Sequence, residues 1–166
     1  MPLSCLAGDK VIYAFDLDSP ADWENLRNQN SDEGHLRMPC CGARVVLRQS
    51  KLGTRHFAHA RRGDCASAPE TAEHLLAKRL VVAGVRKTPW TAHAEQSGRA
   101  PNGDEWRADV LAEKGNAKVA FEIQWSQQTD EETMRRQNLY GAAGVRGLWL
   151  FRQSKFATSK HIPAFR

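Results

Sequence analysis

The chain has 166 residues, room for one domain or for one domain and a small module. Hydrophobic residues make up 41%, enough for a core, yet no run approaches the roughly 18 apolar residues that span a bilayer. The net charge is +5, and Asp9, Asp16 and Asp18 around the first apolar run are foreign to a secretory leader, so we expect a soluble cytoplasmic protein without a membrane partner.

Residues 10–17 alternate weakly and predict a strand. Ser19-Pro20 has the character of an N-cap and first helical position, opening a helix to about residue 28, after which 28–34 is polar and loop-like. Acids dominate residues 1–35. The stretch 44–62 instead carries Arg44, Arg48, Lys51, Arg55, Arg61 and Arg62 and no acid. Such a block attracts phosphates, though a solvated surface loop would look the same. Within it, residues 44–48 and 55–58 predict a small hairpin around Gly53.

Cys5 stands apart, while Cys40, Cys41 and Cys65 interleave with His56 and His59. In an intracellular chain this clustering favours a metal over a disulfide. Zinc takes four thiolate or imidazole ligands in a structural site, so four of Cys40, Cys41, His56, His59 and Cys65 would fill one and the fifth is surplus. The alternative is that the histidines merely hydrogen-bond on either side of Phe57 and the cysteines are small core residues. Residues 63–68 have the composition of a linker, which divides the chain into 1–66 and 67–166.

Residues 69–85 place Leu75, Leu76, Leu80 and Val81 at helical spacing. Three strand candidates follow, 90–96, 105–112 and 118–125, separated by turns at Pro101-Asn102-Gly103-Asp104 and Lys114-Gly115-Asn116. Thr129 and Glu132 form a capping box for a helix to about 143, residues 144–147 break it, and 148–151 is a fully apolar strand. The order helix, three strands, helix, strand gives an α/β (α+β) class.

Asp109 and Glu122 fall on neighbouring strand candidates that a hairpin would pair. Side chains alternate along a strand, so Glu122 and Gln124 share one face and Phe121, Ile123 and Trp125 the other, which we expect to be the core face. Glu73 on the preceding helix is a third acid. Singly these are solvent-facing acids. As an ordered set they suit a hard cation such as Mg²⁺ or Mn²⁺, which prefers oxygen ligands and can polarise a phosphodiester.

Five segments, His56-Phe57-Ala58-His59, Glu73-His74-Leu75, Arg107-Ala108-Asp109-Val110-Leu111, Glu122-Ile123-Gln124-Trp125-Ser126 and residues 135–140, together resemble the competence protein CoiA family. The resemblance covers residues 38–151. It implies a PD-(D/E)XK restriction-endonuclease-like core with a small N-terminal Cys/His β-knuckle, and a role in handling DNA. It carries Glu73, Asp109, Glu122 and Gln124 into the active site. Arg135, Gln137 and Tyr140 resemble the Q-x-x-x-Y region of related nucleases, with shifted spacing, and add Arg135 and Tyr140 to the DNA contacts. Two departures stand out. Gln124 occupies the position of the superfamily lysine and carries no charge, and Met38 replaces the first cysteine of a C-P-x-C knuckle. The expected activity is metal-dependent hydrolysis of DNA; the other reading is a catalytically weak DNA-binding module that acts with a partner.

Overall fold

The computed structural model describes residues 2–17, 19–61, 65, 70–126, 128–152 and 162–165. The chain forms two compact units, Met1–Arg79 and Leu80–Arg166. Among the described residues, no helix is long and apolar enough to cross a membrane.

In the first unit, β1 (Ser4–Ala7) pairs antiparallel with β2 (Lys10–Tyr13). The strand expected over 10–17 thus ends at Tyr13 and gives way to a 3₁₀ turn, Ala14–Asp16. Helix α1 (Pro20–Glu33) starts as expected: the Ser19 hydroxyl accepts from the Asp22 amide at 3.0 Å. It runs past residue 28, through polar sequence, because its last turn has other supports. Gly34 ends it at φ +59°. Asn30, buried, donates to the Val45 carbonyl at 2.8 Å and accepts from the Leu36 amide at 3.1 Å. Leu36–Arg37 forms β3 on the other side of β1. The expected hairpin is β4 (Val45–Gln49) against β5 (Arg55–His59), with Leu47 opposite Phe57. Cys5, Trp23, Leu36, Met38, Val45 and Phe57 make the core of this unit.

Helix α2 spans Ala72–Arg86. Strand β6 (Thr91–Ala94) follows, then a small hairpin of β7 (Ser97–Arg99) and β8 (Glu105–Arg107). The strand expected over 105–112 breaks at Ala108-Asp109 and resumes as β9 (Val110–Lys114). The cause is a crossed pair of backbone bonds: Glu95 donates to the Asp109 carbonyl and Ala108 to the Gln96 carbonyl, each at 2.9 Å. Next come β10 (Ala117–Gln124), α3 (Asp130–Ala142), β11 (Arg146–Phe151) and β12 (Ala164–Phe165). The sheet order is β12-β11-β10-β9-β6, with β9 antiparallel and β11 parallel to β10. Strand β10 is therefore interior in the sheet. Ala120 joins Ala108, Leu111, Tyr140 and Val145 in a core cluster on the α3 side. Val119 and Phe121 line an open apolar hollow with Val81, Gly84 and Trp90.

This reverses one expectation. Ala120, Glu122, Ile123 and Gln124 are buried, while Phe121 and Trp125 keep part of their surface exposed. The face carrying Glu122 is the enclosed one, because α3 lies on it.

Candidate metal centres

Glu122 sits near the end of an interior strand and is 2% exposed. In the β9–β10 register Val110 opposes Phe121, so Asp109 and Glu122 are the residues just beyond the last pair. Asp109 is half-buried at the backbone break, and its Oδ2 accepts from the Ile123 amide at 2.9 Å. Arg136 Nη2 lies 2.6 Å from Glu122 Oε1, and the Tyr140 hydroxyl bonds the same oxygen. Burial, then the charge of Asp109, push the Glu122 carboxyl up to about 8, against Arg136 and Tyr140, which favour its ionised form. A buried acid with a raised pKa beside a second acid and a cation marks a functional site far more often than a surface acid does. Gln124, also buried, spends its amide on the Ser126 carbonyl at 2.5 Å.

Arg136 was not singled out in the sequence; Arg135 was. Arg135 is exposed and bonds Glu132 at 2.7 and 2.8 Å. Tyr140, expected among the DNA contacts, is instead buried and committed to Glu122. Helical spacing holds the signal, since residues four apart share a face and residues five apart do not.

The helix acid Glu73 belongs to the first unit. Its side chain is 40% exposed and pairs with Lys51 at 3.0 Å. Glu70, ahead of α2, is the more enclosed acid. It meets His74 Nδ1 at 3.8 Å and takes Lys78 Nζ at 2.7 and 2.9 Å. Lys78 is fully buried. Glu70, His74 and Lys78 are spaced four and four in the sequence.

The knuckle brings four of the five candidate ligands together. Met38–Ala43 forms a tight turn, with Met38 donating to the Ala43 carbonyl and Gly42 to the Met38 carbonyl, each at 2.8 Å. The turn carries Cys40 and Cys41 to His59 at the end of β5. Cys41 Sγ lies 3.2 Å and Cys40 Sγ 3.7 Å from His59 Nε2; Cys40 Sγ lies 3.7 Å from Cys41 Sγ and 3.4 Å from Cys65 Sγ. All four ligand atoms fall within 4.8 Å of one another. Tetrahedral zinc, with bonds of about 2.3 Å to sulfur and about 2.0 Å to nitrogen, sets its ligand atoms roughly 3.5–3.8 Å apart. The donor set therefore fits a metal. Burial, then the neighbouring Cys65 and Cys41 thiols, push the Cys40 thiol up to about 11. His56 stands outside this group. It is buried, its Nδ1 lies 3.2 Å from the Thr54 carbonyl, and its Nε2 has no partner among the described residues.

Of the basic block, Arg44, Arg48, Lys51 and Arg61 are exposed. Arg55 is tied to the carbonyls of Leu17 at 2.5 Å and Ser19 at 3.1 Å, and it lies over the Trp23 ring. Arg62 falls outside the described residues.

Comparison with curated proteins gave no match. Residues 70–164, more than half of the chain, match the family model described as competence protein CoiA, nuclease-like domain. The matched span contains β9, β10 and α3, and with them Asp109, Glu122, Arg136 and Tyr140. The chain belongs to the CoiA family and carries its nuclease-like domain.

Proposed function

We propose that the protein is a metal-dependent deoxyribonuclease that acts in the cytoplasm in DNA processing, recombination or defence. The observation that carries this reading is Glu122, a carboxyl 2% exposed in the nuclease-like domain and close enough to Asp109 to feel its charge. Burying an acid is costly unless the charge is used, and a stability role would be better served by an apolar residue. Asp109 and Glu122 offer hard oxygen donors and would hold Mg²⁺ or Mn²⁺. When bound, the ion would polarise the phosphodiester and stabilise charge developing on it. Tyr140 and Arg136 orient Glu122, and the Ile123 amide orients Asp109. Gln124 completes the enclosed face. Glu73 is the third acid we propose for the set, and Glu73→Ala tests it.

The functional division we propose is a DNA-gripping knuckle over 1–66 and the nuclease-like domain over 67–166. In the knuckle, Cys40, Cys41, His59 and Cys65 would hold a structural zinc ion. Arg44, Arg48, Lys51, Arg61 and Arg62 would meet DNA phosphates, with Arg55 and Arg135 in supporting positions.

A second reading, a catalytically weak DNA-binding module acting with a partner, is favoured by Gln124. It is neutral, and its amide is committed to the Ser126 carbonyl. A cleavage assay on labelled single- and double-stranded DNA with Mg²⁺, Mn²⁺ or EDTA separates the two. The nuclease reading expects metal-dependent products that Asp109→Asn and Glu122→Gln each remove. DNA binding with no cleavage under either metal would establish the second reading instead.

A further inference from the structure

Glu122 Oε1 carries two donors, Arg136 Nη2 at 2.6 Å and the Tyr140 hydroxyl. Tyr140 has one proton to give, and its oxygen also lies 3.0 Å from the Arg107 carbonyl. Arg136 has more than one partner. Its guanidinium reaches the same Arg107 carbonyl at 3.4 Å and lies over the Trp149 ring, 5.4 Å from the centroid. Its side chain is 26% exposed against 2% for Glu122, so it is the member of the pair that can move without unpacking the sheet.

We infer that Arg136 is an internal counter-cation that a divalent ion displaces from Glu122, so that guanidinium and ion hold the acid pair in alternation. The inference rests on the reading of Asp109 and Glu122 as metal ligands. When Asp109 and Glu122 are both ionised, the pair needs positive charge beside it. A divalent ion brings that charge when it binds. Arg136 brings it otherwise, because a guanidinium keeps its charge at any working pH. Both at once would crowd like charges onto one carboxylate. The guanidinium also has somewhere to stay when it releases Glu122: the indole face of Trp149 and the Arg107 carbonyl retain it beside the site. Tyr140 is neutral, so nothing repels it from Glu122 when the ion arrives. It keeps the carboxylate oriented in both states. Arg136 is thus a positioning residue that sets metal affinity.

The test uses the full chain, with arginine side chains labelled for NMR and Arg136 identified by its loss in Arg136→Lys. Titration with Mg²⁺ should move the Arg136 guanidinium signals in a saturable way, and Glu122→Gln should abolish that movement. Calorimetry with Mn²⁺ at alkaline pH, where protons compete least, supplies the second reading. Arg136→Met should bind at least about fivefold more tightly than wild type, the low end of ordinary coupling energies, and Arg136→Lys should fall between. Unmoved Arg136 signals in a protein that binds Mg²⁺ would overturn the exchange and leave the metal site standing, with Arg136 a fixed orienter. Equal Mn²⁺ affinity in wild type and Arg136→Met would do the same. If Arg136→Met fails to fold, the wild-type titration and Arg136→Lys decide. Absence of any Mg²⁺ or Mn²⁺ binding that Glu122→Gln removes would sink the exchange together with the metal-site reading, and the binding isotherm alone reveals that case.

Discussion

Cys40 and Cys41 are exposed, lie on a turn, and direct their sulfur atoms at one another and at His59. Glu122 is buried in an interior strand, and its carboxylate already has a cation and a hydroxyl on it. In the first centre the ligands are brought close by short local turns and little else. In the second they are fixed by sheet register and by a helix packed on top. The difference teaches which centre needs its ion to exist. Crowded thiols gain order only when a cation replaces their protons. A buried acid with an internal counter-charge is already formed, and an ion there changes chemistry more than structure.

That contrast is broken most directly at the knuckle. Purified under reducing conditions, the protein should carry a stoichiometric zinc ion by elemental analysis. Chelation, or Cys41→Ala, should cost at least about 3 kcal/mol and lower the midpoint of the first thermal transition by about 10 °C or more. His56→Ala should not release the metal. An unchanged melting curve after verified zinc loss would place both centres in the same class.

Glu122 gives the next largest effect. Glu122→Gln should reduce metal-dependent cleavage about a hundredfold or more while the fold persists, and Gln124→Ala should cost less, since its amide bonds only the nearby backbone. Glu122→Ala is a poorer tool. It leaves Arg136 and Tyr140 without their shared partner and should destabilise the metal-free protein by about 2–3 kcal/mol, discounted for the partial exposure of Arg136. Denaturant melts of the two variants make the comparison.

A smaller effect sharpens the electrostatic side. Arg48→Ala with Arg61→Ala should weaken DNA binding several-fold and flatten the slope of log affinity against log salt by about 2, close to one phosphate per arginine. Glu122→Gln should leave that slope alone. Equal slopes in wild type and the double variant would remove the basic block from the interface.

The smallest effect concerns His56. Burial lowers its pKa below 6.5, so the unfolded chain takes up a proton there more readily than the folded one. The stability that His56 supplies is therefore complete above pH 6.5 and declines as pH falls below it, by at most about 1.4 kcal/mol per pH unit. His56→Gln should flatten that acid limb in urea midpoints measured across the window. A ligand His would show the opposite dependence on zinc, and none is expected here.

Much of this was legible in the sequence, and the misses have particular causes. His56 and His59 stand three apart on a strand, so they face opposite sides, and alternation alone separates the ligand from the surplus residue. Arg136 and Tyr140 stand four apart on α3, and the same periodicity favours Arg136 over Arg135 as the partner of Tyr140. The burial of Glu122 was not legible. Phe121, Ile123 and Trp125 alternate as a core face should, and only the packing of α3 shows that the opposite face is the enclosed one. The break at Ala108-Asp109 was hidden for a related reason: it depends on backbone bonds from residues 95 and 96, which leave no mark on Arg107–Leu111 itself. Short β1 carries too few residues for any pattern to register.

The order in which these parts come together follows from the turn at Gly115-Asn116, which joins β9 directly to β10. That hairpin closes with only Gly115 and Asn116 between its strands, so it can form early and bring Asp109 and Glu122 together. The parallel partner β11 must wait for α3, whose arrival also delivers Arg136. During refolding the two like charges therefore meet before their counter-charge does. Near neutrality, stopped-flow refolding should be a few-fold slower at low ionic strength than in added salt, and Glu122→Gln should erase the difference by removing that early repulsion.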